Sequence, residues 1–244
     1  WHLAGDSSIG PAIMIFIGLA VKAGCWPFHL WLPIAHPAAP SLVSAVMSGV
    51  MIKTAIYAMI RILMMGHFNC PVLGYIILTL GAISAFWGVL FALLQHDLKC
   101  LLAYHSVENI GIIMMGLGIS IIGDNLHQPV LSQLGLASAL LHTLYHALFK
   151  SLLFLGAGTV DACAHTRDIE SLGGLIKKMA ATAVCFIVGS AAICALPPLN
   201  GFASEWLLYK SFFGLAQYGT GAGGRLAGLL LMGWLALIGA LALA

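Results

Sequence analysis

His142, His146 and Lys150 lie four residues apart in LHTLYHALFKSLLFL, 141–155. On a helix that spacing stacks all three on one face. The residues between them are apolar enough to sit in lipid. A lysine at the centre of a membrane helix costs roughly 2.5–3.5 kcal/mol on insertion scales, so ionisable groups in register mark a polar pathway or a buried site. Imidazole titrates near a pH of about 6.5 and passes protons through bound water. A lysine held between apolar surroundings and a carboxylate takes up and gives up a proton near neutrality. Lys22, Lys53, Glu108 and Glu205 are further ionisable groups set in apolar sequence. Together these residues predict a proton path through a helical membrane protein.

Two readings stand at most of these positions. Lys22 is a relay group, or it snorkels to the membrane interface. Lys53 is a relay or uptake group, or half of a structural charge pair. His142 and His146 pass protons, or hydrogen-bond neighbouring helices. Lys150 is the next station on their face. Glu205 is an exit-side acid, or a helix cap. Glu108 pairs with a lysine of this chain or of another. His29 and His36 flank a proline-rich loop, where they pack it or, at His29, admit protons. His105 is given no role, and Arg61, Lys99 and Lys178 read as interface anchors. His142 and His146 have a spacing that can ligate a metal, but the HExxH form needs a glutamate where Thr143 stands, and no metal is expected.

Of the 244 residues, 61% are hydrophobic and 7% charged, and the mean hydropathy is +1.03. Soluble domains carry about 25% charged residues. Repeated helix-length apolar runs make this an integral membrane protein of the all-α class rather than a β-barrel. A formal charge of +2 gives no footing for nucleic acid. Cys25, Cys70, Cys100, Cys163, Cys185 and Cys194 form no CxxC pair, so no iron–sulfur centre and no electron-carrying role are expected. No nucleotide loop is present and no cofactor is expected. The chain begins on Trp1 and ends within an apolar run, and it reads as the middle of a longer membrane chain.

Seven membrane segments are predicted in one membrane domain, 1–244: 9–31, 41–65, 71–94, 99–122, 131–160, 179–214 and 226–244. Gly24 and Pro27 predict a break near the end of the first. The loop PIAHPAAPS is too rich in proline to be helical. The sixth run is too long for one crossing at about 1.5 Å per residue. LPPLNGF interrupts it near 197–201, as in a discontinuous helix whose loose backbone faces protein or water. Alternating spans put the proline-rich loop, 95–99 and 161–178 on one side. That side has Lys99, Arg167, Lys177 and Lys178 against Arg61 and Arg225 opposite, which predicts a cytoplasmic 161–178 loop.

Four stretches carry a resemblance: GLAVKAGCWPFHLWLPIAHPAAPSLVSAVMSGVMIKTAIYAMIR, HDLKCLLAYHSVENIGIIMMGLG, LLHTLYHALFKSLLFLGAGTVDACAHTRDIESLGGL and LPPLNGFASEW. With them the sequence resembles the antiporter-like membrane subunits of complex I and related hydrogenases, the proton-translocating NADH-quinone oxidoreductase L/M/N type. SVENIG and PPLNGFASEW resemble the hydrogenase-4 component B and formate hydrogenlyase subunit 3 branch. The resemblance implies a polytopic helical bundle of about fourteen helices, built as inverted repeats with discontinuous helices. This chain would run from the seventh helix into the thirteenth. It places the family's relay groups on Lys22, Lys53, His142, His146, Lys150 and Glu205, and puts the acid that pairs with Lys22 before Trp1. Ile34 departs from the pattern, where the family has an acid. The partners implied are other membrane and peripheral subunits of a hydrogenase- or complex I-like assembly, with protons or sodium as cargo, in a bacterial or archaeal cytoplasmic membrane. Equivalent subunits of NADH–quinone oxidoreductase, a multisubunit cation/proton antiporter and a passive scaffold are the alternatives.

Overall fold

The computed structural model describes residues 9–65, 71–219 and 221–243. The described residues are helical apart from turns and one isolated antiparallel bridge between Asp97 and Asp168. The helices are α1 (Ile9–Ala23), α2 (Trp31–Ala38), α3 (Ser41–Val46), α4 (Ile52–Met65), α5 (Pro71–Leu93), α6 (Leu98–Asn125), α7 (Pro129–Ala164), α8 (Leu175–Lys178), α9 (Ala180–Ile193), α10 (Asn200–Tyr218) and α11 (Gly221–Ala242). Six helical stretches among them are long and apolar enough to cross a membrane: Gly10–Ala38, Ser41–Ile62, Pro71–Leu93, Leu98–Asn125, Pro129–Ala164 and Gly223–Ala242. The chain is a multi-pass all-α membrane protein with discontinuous helices.

α6 is the axis, and every residue from His105 to Gly123 is buried. Asp97 starts it, accepting from the backbone N–H of Lys99 at 2.8 Å and Cys100 at 3.0 Å, an N-cap that satisfies two otherwise orphaned donors. α5 packs on one side of α6 through glycines. A Cβ on Gly81 would lie 2.7 Å from the Gly111 carbonyl oxygen, and one on Gly88 would lie 2.4 Å from the Glu108 nitrogen. Small residues let membrane helices approach this closely, where dispersion and packing replace the missing hydrophobic drive. α7 and α10 cover the other side.

Two helices are broken. α1 ends at Ala23, and Gly24 takes a positive φ of 74°. At the break the Val21 carbonyl accepts from the Gly24 N–H at 3.2 Å and from Trp31 Nε1 at 2.9 Å, and the Trp26 N–H donates to Ser84 Oγ at 3.2 Å. Side chains thus satisfy the loose backbone inside the bundle, as lipid requires. α9 ends in a Schellman turn: the Leu196 N–H reaches the Ala191 carbonyl at 3.1 Å and Ala195 N–H reaches Ala192 at 3.3 Å. Ala195 holds the left-handed φ of 51° that glycine usually supplies.

The proline-rich stretch departs from the expectation of a loop. α2 runs straight through Pro33 and Pro37. Pro33 sits in the first turn, where no N–H is needed. Pro37 removes the donor that would serve the Pro33 carbonyl, and Cys100 Sγ approaches that oxygen at 3.5 Å instead. Arg167 Nη1 donates to the Pro37 carbonyl at 2.7 Å and Lys99 Nζ to the Ala39 carbonyl at 3.0 Å. Lys99 is therefore a buried tie and not an interface anchor. Arg167 also pairs with Asp97 at 3.3 Å, and Leu98 and Ile169 exchange backbone hydrogen bonds with Arg167 and His96. The connections around 39, 97 and 168 meet at one end of the bundle.

Candidate functional site

α7 carries His142, His146 and Lys150 into the interior, where all three are buried and Lys150 and His146 have no exposed surface. Their helical register fixes that shared face. What the face meets comes from α2, α4, α6 and α10.

Lys150 Nζ donates to the Leu102 carbonyl at 2.6 Å and lies 5.9 Å from the centre of the Phe154 ring. The same carbonyl accepts from Ser106 Oγ at 3.1 Å, and Ser106 Oγ lies 3.1 Å from Ser48 Oγ. Lys53 Nζ donates to the Ser48 carbonyl. Ser48 belongs to a π turn, Met47–Met51, that joins α3 to α4. Such turns insert one residue into the helix and re-aim its side chains, and they recur at functional sites. The two lysines are thus joined through two serines and two carbonyls.

Farther along α7, His142 Nε2 lies 3.0 Å from Asn109 Oδ1 and Nδ1 lies 3.0 Å from Ser204 Oγ. Asn109 Nδ2 donates to the His105 carbonyl at 2.7 Å. His105 Nδ1 approaches Glu108 Oε2 at 2.5 Å, and both groups are buried. That pair answers what the sequence left open: the partner of Glu108 is His105, the histidine assigned no role. The charge of Glu108 also acts on Lys150 and on buried Glu205. Between His142 and Lys150 stands His146, its ring 6.4 Å from that of His142 and 5.4 Å from Phe149. Neither nitrogen of His146 has a protein partner among the described residues.

The line therefore gathers Lys53, Lys150, His146, His142 and Glu108, and adds Ser48, His105, Ser106, Asn109 and Ser204, while Glu205 is buried next to Ser204 in sequence without a hydrogen bond to the line among the described residues. Lys22 is exposed on α1 and takes no part in these bonds. His29 is buried toward Tyr104, at 6.2 Å between ring centres, apart from the main line. His36, expected to pack a loop, is instead fully buried against Phe154 at 4.5 Å, within electrostatic reach of Lys150, Lys53 and Lys99. The added residues had a trace in the sequence. HSVEN puts positions 105, 106, 108 and 109 on adjoining arcs of one otherwise apolar helix. Ser204 gave none, since serine is common in membrane helices.

A helical bundle with two broken helices and a buried Lys–His–Glu line is the architecture of an antiporter-like membrane subunit. Residues 5–222 match the family described as NADH:quinone oxidoreductase/Mrp antiporter, TM, and the chain belongs to it. The chain is 47% identical to hydrogenase-4 component B of Escherichia coli (strain K12), an alignment covering 94% of this chain and 34% of that protein. It is 48% identical to formate hydrogenlyase subunit 3 of the same organism, covering 93% of this chain and 37% of that one. It spans about a third of the length of these relatives. In the Mrp complex from Dietzia sp. DQ12-45-1b, one subunit shares the fold with a TM-score of 0.81 at 24% identity, covering 98% of this chain and 42% of that one.

Proposed function

We propose that this chain is part of a proton-translocating membrane subunit of a hydrogenase-4 or formate-hydrogenlyase type complex, set in a cytoplasmic membrane beside other membrane and peripheral subunits. In this reading the subunit does no redox chemistry. Protons move along Lys53, Lys150, His146, His142 and Glu205, and the 161–178 end faces the cytoplasm. The observation that carries the reading is the buried polar line from Lys53 to Ser204, which a passive anchor has no use for at the cost of desolvating its charges. Two ammonium groups sharing a low-dielectric pocket repel, so a proton arriving at Lys53 favours release from Lys150. Among the described residues the nitrogens of His146 are uncommitted to protein, which suits a group that exchanges protons through water. Glu108 is held in place by His105.

Lys22 lies outside this line. Its proposed role is the trigger: an acid from another segment pairs with it, and withdrawal of that acid makes it release its proton. The test is proton uptake by vesicles containing the full-length protein in its complex, driven by the complex's own redox reaction. Lys150→Met and Lys22→Met should each abolish uptake while the complex assembles. Wild-type uptake by Lys150→Met would refute the relay, and wild-type uptake by Lys22→Met would refute the trigger.

A further inference from the structure

We infer that Asn109 and Ser204 fix the tautomer of His142 and confine its exchangeable proton to Nδ1, the nitrogen facing α10. The orientation of the Asn109 amide decides the first half. One end of it lies 2.7 Å from the His105 carbonyl, where only the NH2 group can sit. The other end, 3.0 Å from His142 Nε2, is then the oxygen, an acceptor only. His142 Nε2 therefore keeps its hydrogen whether the ring is neutral or charged.

Nδ1 faces a group that can do both jobs. Ser204 Oγ lies 3.0 Å from it and 2.9 Å from the Gly201 carbonyl. The hydroxyl has one hydrogen and two takers. With His142 neutral, Ser204 donates to Nδ1. With His142 protonated, Nδ1–H donates to Ser204 Oγ, and the hydroxyl hydrogen turns to the Gly201 carbonyl. Both states fill every bond around the ring with no movement of a heavy atom. A proton reaching Ser204 Oγ from the α10 side displaces the serine's own hydrogen onto Nδ1, and the reverse step returns it. The Gly201 carbonyl is held in place for this exchange: a Cβ on Gly201 would lie 2.0 Å from the Ala192 oxygen, so glycine alone lets the first turn of α10 seat on the end of α9. Lys53 on α4 and His146 on α7 act on the same ring, and Glu205 follows Ser204 in sequence. His142 thus exchanges protons toward α10 and not toward Asn109, which makes Asn109 a positioning residue and Ser204 the group through which the exchange runs.

The transport half of this inference rests on the relay reading; the tautomer half does not. The experiment is solid-state 15N NMR of the full-length protein in liposomes with ring-labelled histidine, the His142 signals identified by their loss in His142→Gln. Neutral His142 should show a protonated Nε2 and a bare Nδ1, and Asn109→Leu should give a mixture of tautomers. A protonated Nδ1 in the neutral wild type would overturn the inference. Redox-driven proton uptake by the complex supplies the second readout. Ser204→Ala should slow it roughly ten- to a hundredfold, the worth of one hydrogen bond to a charged group, and Ser204→Thr, which keeps a hydroxyl, should recover most of it. Ser204→Ala with wild-type uptake sinks the role of the hydroxyl in the exchange. Failure of the relay reading looks different: His142→Gln and Lys150→Met would both keep full uptake while the tautomer result stood.

Discussion

The two long faces of α6 are equally buried and do opposite work. Toward α5 the face places Gly111 and Gly118 where the backbones meet at distances that leave no room for a side chain. Toward α7 its first half carries Ser106 and Asn109, each engaged by a specific partner, while His105 and Glu108 pair with one another and close backbone contact returns only farther along, at Gly116 and Gly123. The difference is one of tolerance. A close-packed apolar contact fixes where α6 lies, and any added volume moves it. A polar contact inside a membrane survives only when each group is satisfied, so it constrains chemistry more than volume. The first face sets the position in which the second can function.

The largest effect should come from the packed side. Gly111→Leu puts carbon where the nearest atom, the Ala85 nitrogen, lies 2.4 Å from a built Cβ. The cost should be at least about 3 kcal/mol, read as loss of assembled complex on native gels. On the polar side, Lys150→Met keeps the length and apolar stem of the side chain. Assembly should persist, while redox-driven proton uptake by vesicles falls roughly a hundredfold or more, the usual scale for removing a proton-transfer group. If Gly111→Leu assembled and transported normally, or Lys150→Met failed to assemble, the division between the faces would be wrong.

Arg167→Gln tests the end of α6 and neither face. It breaks the pair with Asp97 and the bond to the Pro37 carbonyl. Thermal unfolding in detergent should register a loss of about 1–2 kcal/mol, with the half-exposed ion pair contributing the lesser share. The smallest effect is a gain. Ala195→Gly relieves a left-handed backbone at the break before α10 and should stabilise by about 1 kcal/mol in the same assay. A loss there would mean that the Ala195 methyl packs more than its backbone strains.

Much of this was legible beforehand. The spacing of His142, His146 and Lys150 put them on one face, and all three are buried together. Gly24 with Pro27 and the LPPLNGF stretch announced the two breaks. The proline-rich stretch misled, because proline content alone does not say whether a missing donor falls where a side chain such as Cys100 can stand in. The glycine face of α6 was visible as residues but not as a contact. His105 lies one turn less central than Glu108, and only its i, i+3 spacing to that residue hints at the pair.

The residue types and their helical period determined which side chains share a face, and that charges in so apolar a chain must turn inward together. Only tertiary packing decided what each one meets. His142 and His146 are equivalent by spacing, yet His142 is held by residues 33 and 62 positions away while the nitrogens of His146 have no protein partner among the described residues. Those distant neighbours arrive when α6 and α10 close on α7, and no periodicity within α7 encodes them.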